Sequence, residues 1–240
     1  MKFSANLGFL WTDRPLPDAV RAAANAGFDA VELHWPYDTP AADLRAVLDE
    51  TGLPCLGLNT SKGGGMGLGA LPGREQDARA AIDEAIAYAR AVGAQAVHAM
   101  AGVAEGMAAE TAFRASLEYA CDAAPDLTIL IEPLNRYDAP GYFLNTTGQA
   151  VILIDALARP NLKLMFDCYH VQVSEGDLTR RFGEVRNAVG HVQFAGVPKR
   201  GSPDEGEIAY DRLLPALGWD GYFGAEYRPD GDTDASLGWL

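Results

Sequence analysis

Nowhere does the 240-residue chain approach the ~18 consecutive apolar residues that a membrane helix requires. No bilayer-spanning segment is therefore expected. The start, Met1-Lys2-Phe3-Ser4-Ala5-Asn6, has neither the apolar core nor the small-residue cleavage site of a secretory signal, so the expected location is the cytoplasm. Cysteine is scarce. The three present (Cys55, Cys121, Cys168) are an odd number without CxxC spacing, which argues against a disulfide framework or a zinc knuckle. Basic residues are few as well: 19 Lys and Arg face 33 Asp and Glu, for a formal charge of −14. Such a surface repels phosphate backbones. The nearest basic clusters are only Arg180-Arg181 and Lys199-Arg200, so nucleic acid is not an expected partner. No GxGxxG follows the first apolar run, and GxxxxGK[ST] is absent, which removes the usual supports for dinucleotide and phosphate cradles.

What is present is an alternation. Short Val-, Ile-, Leu- and Phe-rich runs predict strands at Phe3–Leu7, Ala30–Leu33, Cys55–Leu58, Ala96–Met100, Thr128–Glu132, Lys163–Asp167, His191–Phe194 and Tyr222–Glu226. Ala-rich amphipathic stretches between them predict helices near 16–26, 41–51, 75–92, 110–123, 147–158, 177–187 and 210–217, with a helical fragment in 233–240. In 75–92 the residues Ala78, Ala81, Ile82, Ala85, Ile86, Ala89 and Val92 recur at three- and four-residue steps and form one apolar face. Gly27, Gly52, Gly93 and Gly218 stand where helix C-termini want a left-handed residue. Eight strand signals in one chain of this length favour an α/β fold of the TIM type, a single (β/α)8 barrel over 1–240, above an open doubly wound sheet. The Gly-rich stretch Gly63–Gly69 then falls in a βα loop at the barrel mouth.

Four of the apolar runs end in, or carry, a polar side chain with an oxygen: Glu132, Asp167, Gln193 and Glu226. An ionised carboxylate is costly to bury without a partner. Parallel strands lie about 4.8 Å apart, so four consecutive strand ends can converge on one point. Three carboxylates and an amide oxygen form a hard donor set, which suits one Mg²⁺ or Mn²⁺ better than zinc.

At these residues the sequence resembles the hydroxypyruvate isomerase branch of the xylose isomerase-like barrels. Ile131-Glu132-Pro133-Leu134-Asn135, Asp138-Ala139-Pro140-Gly141, Asp167-Cys168-Tyr169-His170, His191-Val192-Gln193, Gly206-Glu207-Ile208 and Glu226-Tyr227 carry the likeness, with Val31-Glu32-Leu33 and Pro72-Gly73-Arg74-Glu75 before them. The resemblance implies that Glu132, Asp167, Gln193 and Glu226 hold the metal and that Glu132 and Glu226 are the acid–base pair. It implies an aldose–ketose isomerase acting on a small hydroxy-carbonyl acid or sugar through a cis-enediolate. Glutamine in the seventh strand favours hydroxypyruvate isomerase over the ketose 3-epimerases, which typically carry histidine there. A ketose 3-epimerase or a 2-oxo-tetronate isomerase is the alternative on the same scaffold, with the same metal and the same two glutamates. Asn59-Thr60-Ser61-Lys62 departs from the Asn-x-Pro pattern expected after the third strand.

His170 and Arg200 are candidate contacts to substrate oxygens and carboxylate, and Asp138 is a further candidate at the substrate. Asp138 and Glu32 are also candidates for orienting His or Arg. His34 and His98 end strands, where a structural role is the commoner one. Trp11, Trp35 and Tyr37 are candidates for an apolar wall. A DNA-repair enzyme would need a His-rich site and a basic face, whereas only four histidines are present. A barrel that merely binds a sugar acid has no use for a base on each face. Homo-oligomers are common among barrels of this kind, and no segment marks an interface.

Overall fold

The computed structural model describes residues 1–240. All eight expected strands form: β1 (Lys2–Asn6), β2 (Ala30–Glu32), β3 (Gly57–Asn59), β4 (Ala96–His98), β5 (Thr128–Ile131), β6 (Leu162–Asp167), β7 (Val189–Phe194) and β8 (Tyr222–Ala225). They pair in the order β2-β1-β8-β7-β6-β5-β4-β3, and each pairing is parallel. The ring closes between β2 and β3. There the Leu56 N–H donates to the Val31 carbonyl at 2.8 Å and the Leu33 N–H to that of Gly57 at 2.9 Å. Strands covered on both faces must be apolar on both faces. Accordingly Leu164, Met165 and Phe166 of β6 are all buried.

Seven helices follow the expected pattern: α1 (Leu16–Ala26), α2 (Ala41–Thr51), α3 (Glu75–Val92), α4 (Gly106–Ala123), α5 (Thr147–Leu157), α7 (Leu178–Val185) and α8 (Tyr210–Leu217). The full predicted stripe of α3 is buried, so its three- and four-residue spacing reports the face that packs on the barrel. The left-handed glycines end α1, α2, α3 and α8 as expected.

The structure differs from the sequence reading at three places. Helix α4 starts at Gly106, four residues earlier than its apolar pattern. A seven-residue helix, α6 (Cys168–Ser174), follows β6 directly and is too short to show a period. The 233–240 segment holds only a 3₁₀ turn, Asp234–Ser236. Trp11 pins that segment through Nε1 to Asp234 Oδ1 at 2.7 Å and through its N–H to Thr233 Oγ1 at 2.9 Å. Trp11 is thus a packing residue. No helix is long and apolar enough to cross a membrane.

The C-terminal ends of the strands share one mouth. Asp167 pairs in register with Gln193, and Gln193 with Gly224. Glu132 and Glu226 each follow the last residue of β5 and β8. Half of the Gly-rich loop is anchored here. Gly69 donates its N–H to the Met100 carbonyl at 3.1 Å, and Ala70 donates to that of Ala101 at 2.7 Å, while Lys62–Gly65 stay exposed.

Candidate active site

Glu132, Asp167, Gln193 and Glu226 are all buried, at 5%, 1%, 2% and 6% exposure. For carboxylates this is costly without compensation. The compensation comes from the β7–α8 loop, where Arg200, at φ 57°, sends a buried guanidinium into the cluster. Nη2 donates to Glu226 Oε2 at 2.6 Å and to Asp167 Oδ2 at 3.1 Å, and Nε donates to the Glu226 carbonyl at 3.3 Å.

One cation cannot satisfy three carboxylates, and the proton affinities divide accordingly. Burial works against the Glu226 carboxylate, but Arg200, with His34, outweighs it and draws its pKa down to about 2. Burial pushes Asp167 up to about 7, with Arg200 opposing and Glu226 adding repulsion. Glu132 is driven well above the usual carboxylate range by burial, then by Glu226 and Asp167. Arg200 itself stays charged: burial opposes the charge, and Glu226 and Asp167 overcome that opposition.

His170 has a defined tautomer, fixed by its neighbours. Asn135 Oδ1 accepts from the Tyr137 and Asp138 N–H groups, both at 3.0 Å, so the amide nitrogen of Asn135 must point the other way. It donates to Asp138 Oδ2 at 2.9 Å and meets His170 Nδ1 at 2.8 Å. The Asn135 backbone N–H also donates to Nδ1 at 3.1 Å. With Nδ1 accepting, the ring proton lies on Nε2, which is 3.8 Å from Glu132 Oε1 and 3.6 Å from Asp167 Oδ2. Burial, with Arg200 beside it, holds the imidazolium well below its usual pKa, so the ring is neutral. Nε2 therefore offers a proton to an oxygen. Arg200 Nη1 lies 2.9 Å from the same Nε2, a donor facing a donor in this tautomer.

Asp138 serves this arrangement at one remove. Its Oδ2 holds Asn135 and accepts from the Tyr169 hydroxyl at 2.7 Å. It thus acts on His170 through Asn135.

Two histidines weighed as structural stand beside the glutamates. His34 Nε2 is 2.7 Å from Glu226 Oε1, and Asn6 Nδ2 donates to the same oxygen at 3.2 Å. His98 Nδ1 is 3.2 Å from Asn59 Oδ1 and 3.7 Å from Glu132 Oε2. Burial lowers the His98 pKa to about 4, so it too is neutral. Sequence reading gave Asn6 and Asn135 no role at the site. The signal was available, because each stands at or just past a strand end beside residues already singled out. Trp35 forms part of the rim, with the Lys62 ammonium 3.5 Å above its ring. Tyr37 is tied by its hydroxyl to the Asn59 carbonyl.

Does the set fit a metal? Ligand atoms of Glu132, Asp167 and His170 lie within 4.8 Å of one another. Glu132 Oε1 and Gln193 Oε1 are buried and accept no hydrogen bond. Leaving such atoms unmade costs about 1–3 kcal/mol each. Hard, oxygen-rich donors with two unsatisfied oxygens are what Mg²⁺ or Mn²⁺ would satisfy. His170, whose Nε2 carries the proton, is left out of the donor set, and Glu226, whose oxygens meet Arg200, His34 and Asn6, stands outside that close group.

Known proteins share this fold. The profile of the xylose isomerase-like TIM barrel family matches residues 20–240. A 2-oxo-tetronate isomerase of Cupriavidus necator is 42% identical, covering 100% of this chain and 97% of its own. A putative hydroxypyruvate isomerase of Homo sapiens is also 42% identical, covering 100% and 94%. A crystal structure from Brucella melitensis, titled an AP endonuclease of family 2, superposes with a TM-score of 0.95 at 39% identity, covering 99% and 97%. The chain belongs to the xylose isomerase-like TIM barrel family, in the branch whose curated members are named hydroxypyruvate isomerase and 2-oxo-tetronate isomerase.

Proposed function

We propose that this chain is a divalent-metal-dependent isomerase of short hydroxy-carbonyl acids, interconverting hydroxypyruvate and tartronate semialdehyde. Glu132, Asp167, Gln193 and Glu226 would hold one Mg²⁺ or Mn²⁺. When bound, the metal supplies Lewis-acid stabilisation of charge developing on the substrate oxygens. The protein's own residues do the rest.

The observation that carries this reading is the pair Glu132 and Glu226. Both are buried carboxylates at the mouth, and the strands that carry Asp167 and Gln193, β6 and β7, lie between theirs. A carboxylate on each flank of the site gives one group to take a proton and another to return it. Moving a carbonyl to the neighbouring carbon takes one proton off carbon and returns one to the adjacent carbon, while the O–H proton passes from the hydroxyl oxygen to the former carbonyl oxygen. One glutamate removes it and the other delivers it, through an enediolate. The Nε2–H of His170 donates to a substrate oxygen. Arg200, whose Nη1 faces His170 while Nη2 and Nε hold Glu226 and Asp167, would take the substrate carboxylate through Nη1.

The experiment is proton NMR on hydroxypyruvate in D₂O with EDTA-stripped protein, adding back Mg²⁺ or Mn²⁺. Metal-dependent formation of tartronate semialdehyde with deuterium at carbon is the expected result. Glu132→Gln and Glu226→Gln should lose about 10²–10⁴-fold in rate. Absence of exchange in any hydroxy-carbonyl acid with any metal would sink the reading. A second reading, 2-oxo-tetronate isomerisation, is favoured by the Cupriavidus relative. It uses the same groups on a four-carbon acid, and a higher kcat/KM for that acid would select it.

A further inference from the structure

Glu32, at the end of β2, is buried at 5% exposure and takes no part in the chemistry above. Donors from two other strands converge on its carboxylate. The Ser4 hydroxyl of β1 donates to Oε1, and His191 Nε2 of β7 lies 2.9 Å from the same oxygen. Gln193 Nε2, also of β7, donates to Oε2 at 2.8 Å. The space is closed from β8 as well: a Cβ on Gly224 would stand 2.2 Å from Glu32 Oε1 and 2.9 Å from Gln193 Cγ.

A carboxylate can only accept, whereas a carboxamide donates from one end and accepts at the other. The Gln193 amide, placed against Glu32, must therefore turn its NH₂ to Glu32 and its oxygen away. That oxygen is the buried one without a partner. Turned over, the amide would set its oxygen against the Glu32 carboxylate, acceptor against acceptor, and present NH₂ to any cation. We infer that Glu32 is a positioning residue that fixes the polarity of the Gln193 amide, so that an oxygen rather than an NH₂ serves as the fourth metal donor. This rests on the metal reading proposed above.

The test is a polarity swap read by Mn²⁺ affinity, measured calorimetrically on stripped protein without substrate, beside the Tm in EDTA. In Glu32→Gln the new amide has one accepting end for the donors of Ser4 and Gln193, and the Gln193 amide loses its fixed sense. Mn²⁺ affinity should fall about 10–100-fold, the usual cost of removing an outer partner of a metal ligand. In Glu32→Gln/Gln193→Glu the hydrogen bond is kept with its direction reversed. The formal charge is unchanged, and a carboxylate needs no orienting, so affinity should return to near the wild-type value.

A merely structural Glu32 would lower the metal-free Tm and leave the folded protein's affinity alone. Unchanged affinity in Glu32→Gln, or a folded double variant that stays as weak as the single, overturns the inference. If Glu32→Gln does not fold, the double variant alone decides. If the wild type binds no Mn²⁺, the metal reading itself falls and takes the inference with it.

Discussion

Arg200 Nη2 and Glu226 Oε2 lie 2.6 Å apart, both buried. This pair neutralises one of three clustered carboxylates. Removing one partner of a buried ion pair exposes the other's full desolvation cost, about 3–5 kcal/mol. Arg200→Met should therefore lower the metal-free Tm at neutral to alkaline pH, and less at acid pH, where the carboxylates take up protons instead. Saturating Mg²⁺ should raise the Tm of the variant more than that of the wild type, because it supplies the missing charge. Equal gains in thermal-shift curves would refute this account.

A pH dependence follows from the divided proton affinities. Asp167 is raised from 3.8 to about 7 and Glu132 well above 4.5, so the native state binds more protons than the unfolded chain. Their contribution to stability is present at low pH and is lost as pH rises through the folded values. Glu226 runs the other way. Lowered from 4.5 to about 2, it stabilises above its unfolded value, and that gain is lost as pH falls toward 2. Metal-free protein should therefore lose stability from mildly acidic pH through about 7 and beyond, by urea unfolding across a pH series. Metal binding must displace the protons on Asp167 and Glu132, so affinity should rise with pH over the same window. Calorimetry in two buffers of different ionisation enthalpy should show more protons released at acid than at alkaline pH.

The His170 tautomer depends on a chain that begins outside the cluster: Asp138 orients Asn135, and Asn135 holds Nδ1. Asn135→Asp replaces a donor with an acceptor at Nδ1. The ring should then take a second proton, and ¹⁵N NMR should show it charged near neutrality, where the wild-type ring stays neutral. Turnover should fall about 10–100-fold, as for other partners that orient a functional histidine, with Mn²⁺ affinity little changed. A wild-type ¹⁵N spectrum with the variant would contradict the assigned proton position.

How much of this was legible beforehand depends on what kind of signal each residue leaves. Glu132, Asp167 and Glu226 could be read because each breaks an apolar run at its C-terminal end, and Gln193 because it interrupts one. A barrel turns sequence order into convergence at one mouth. Asn135 and Asp138 were quoted as parts of motifs, yet their linkage to His170 depends on which way an amide points, and no periodicity carries that. Arg200 reaches the cluster from a left-handed loop residue, so its contacts depend on loop geometry. His34 and His98 end strands as the acids do. What set them apart was only their distance to Glu226 and Glu132. Helix α6 escaped because seven residues make barely two turns.

Gly224 offers the most direct check on how tightly the strand ends are fitted. It pairs with Gln193 on one side and Ser4 on the other, and both of these residues hydrogen-bond Glu32. Its φ imposes no demand for glycine, so the reason for the missing side chain is space: a Cβ would stand 2.2 Å from Glu32 Oε1. A flexible side-chain end can usually give way, but this one is held by hydrogen bonds from Ser4 and Gln193. Gly224→Ala should therefore cost about 1–3 kcal/mol as overpacking. The displaced Glu32 should also release the Gln193 amide, so Mn²⁺ affinity should drop along with stability. If Gly224→Ala loses neither stability nor affinity, Glu32 moves freely, and the packing that fixes the β7 donor is looser than the structure shows.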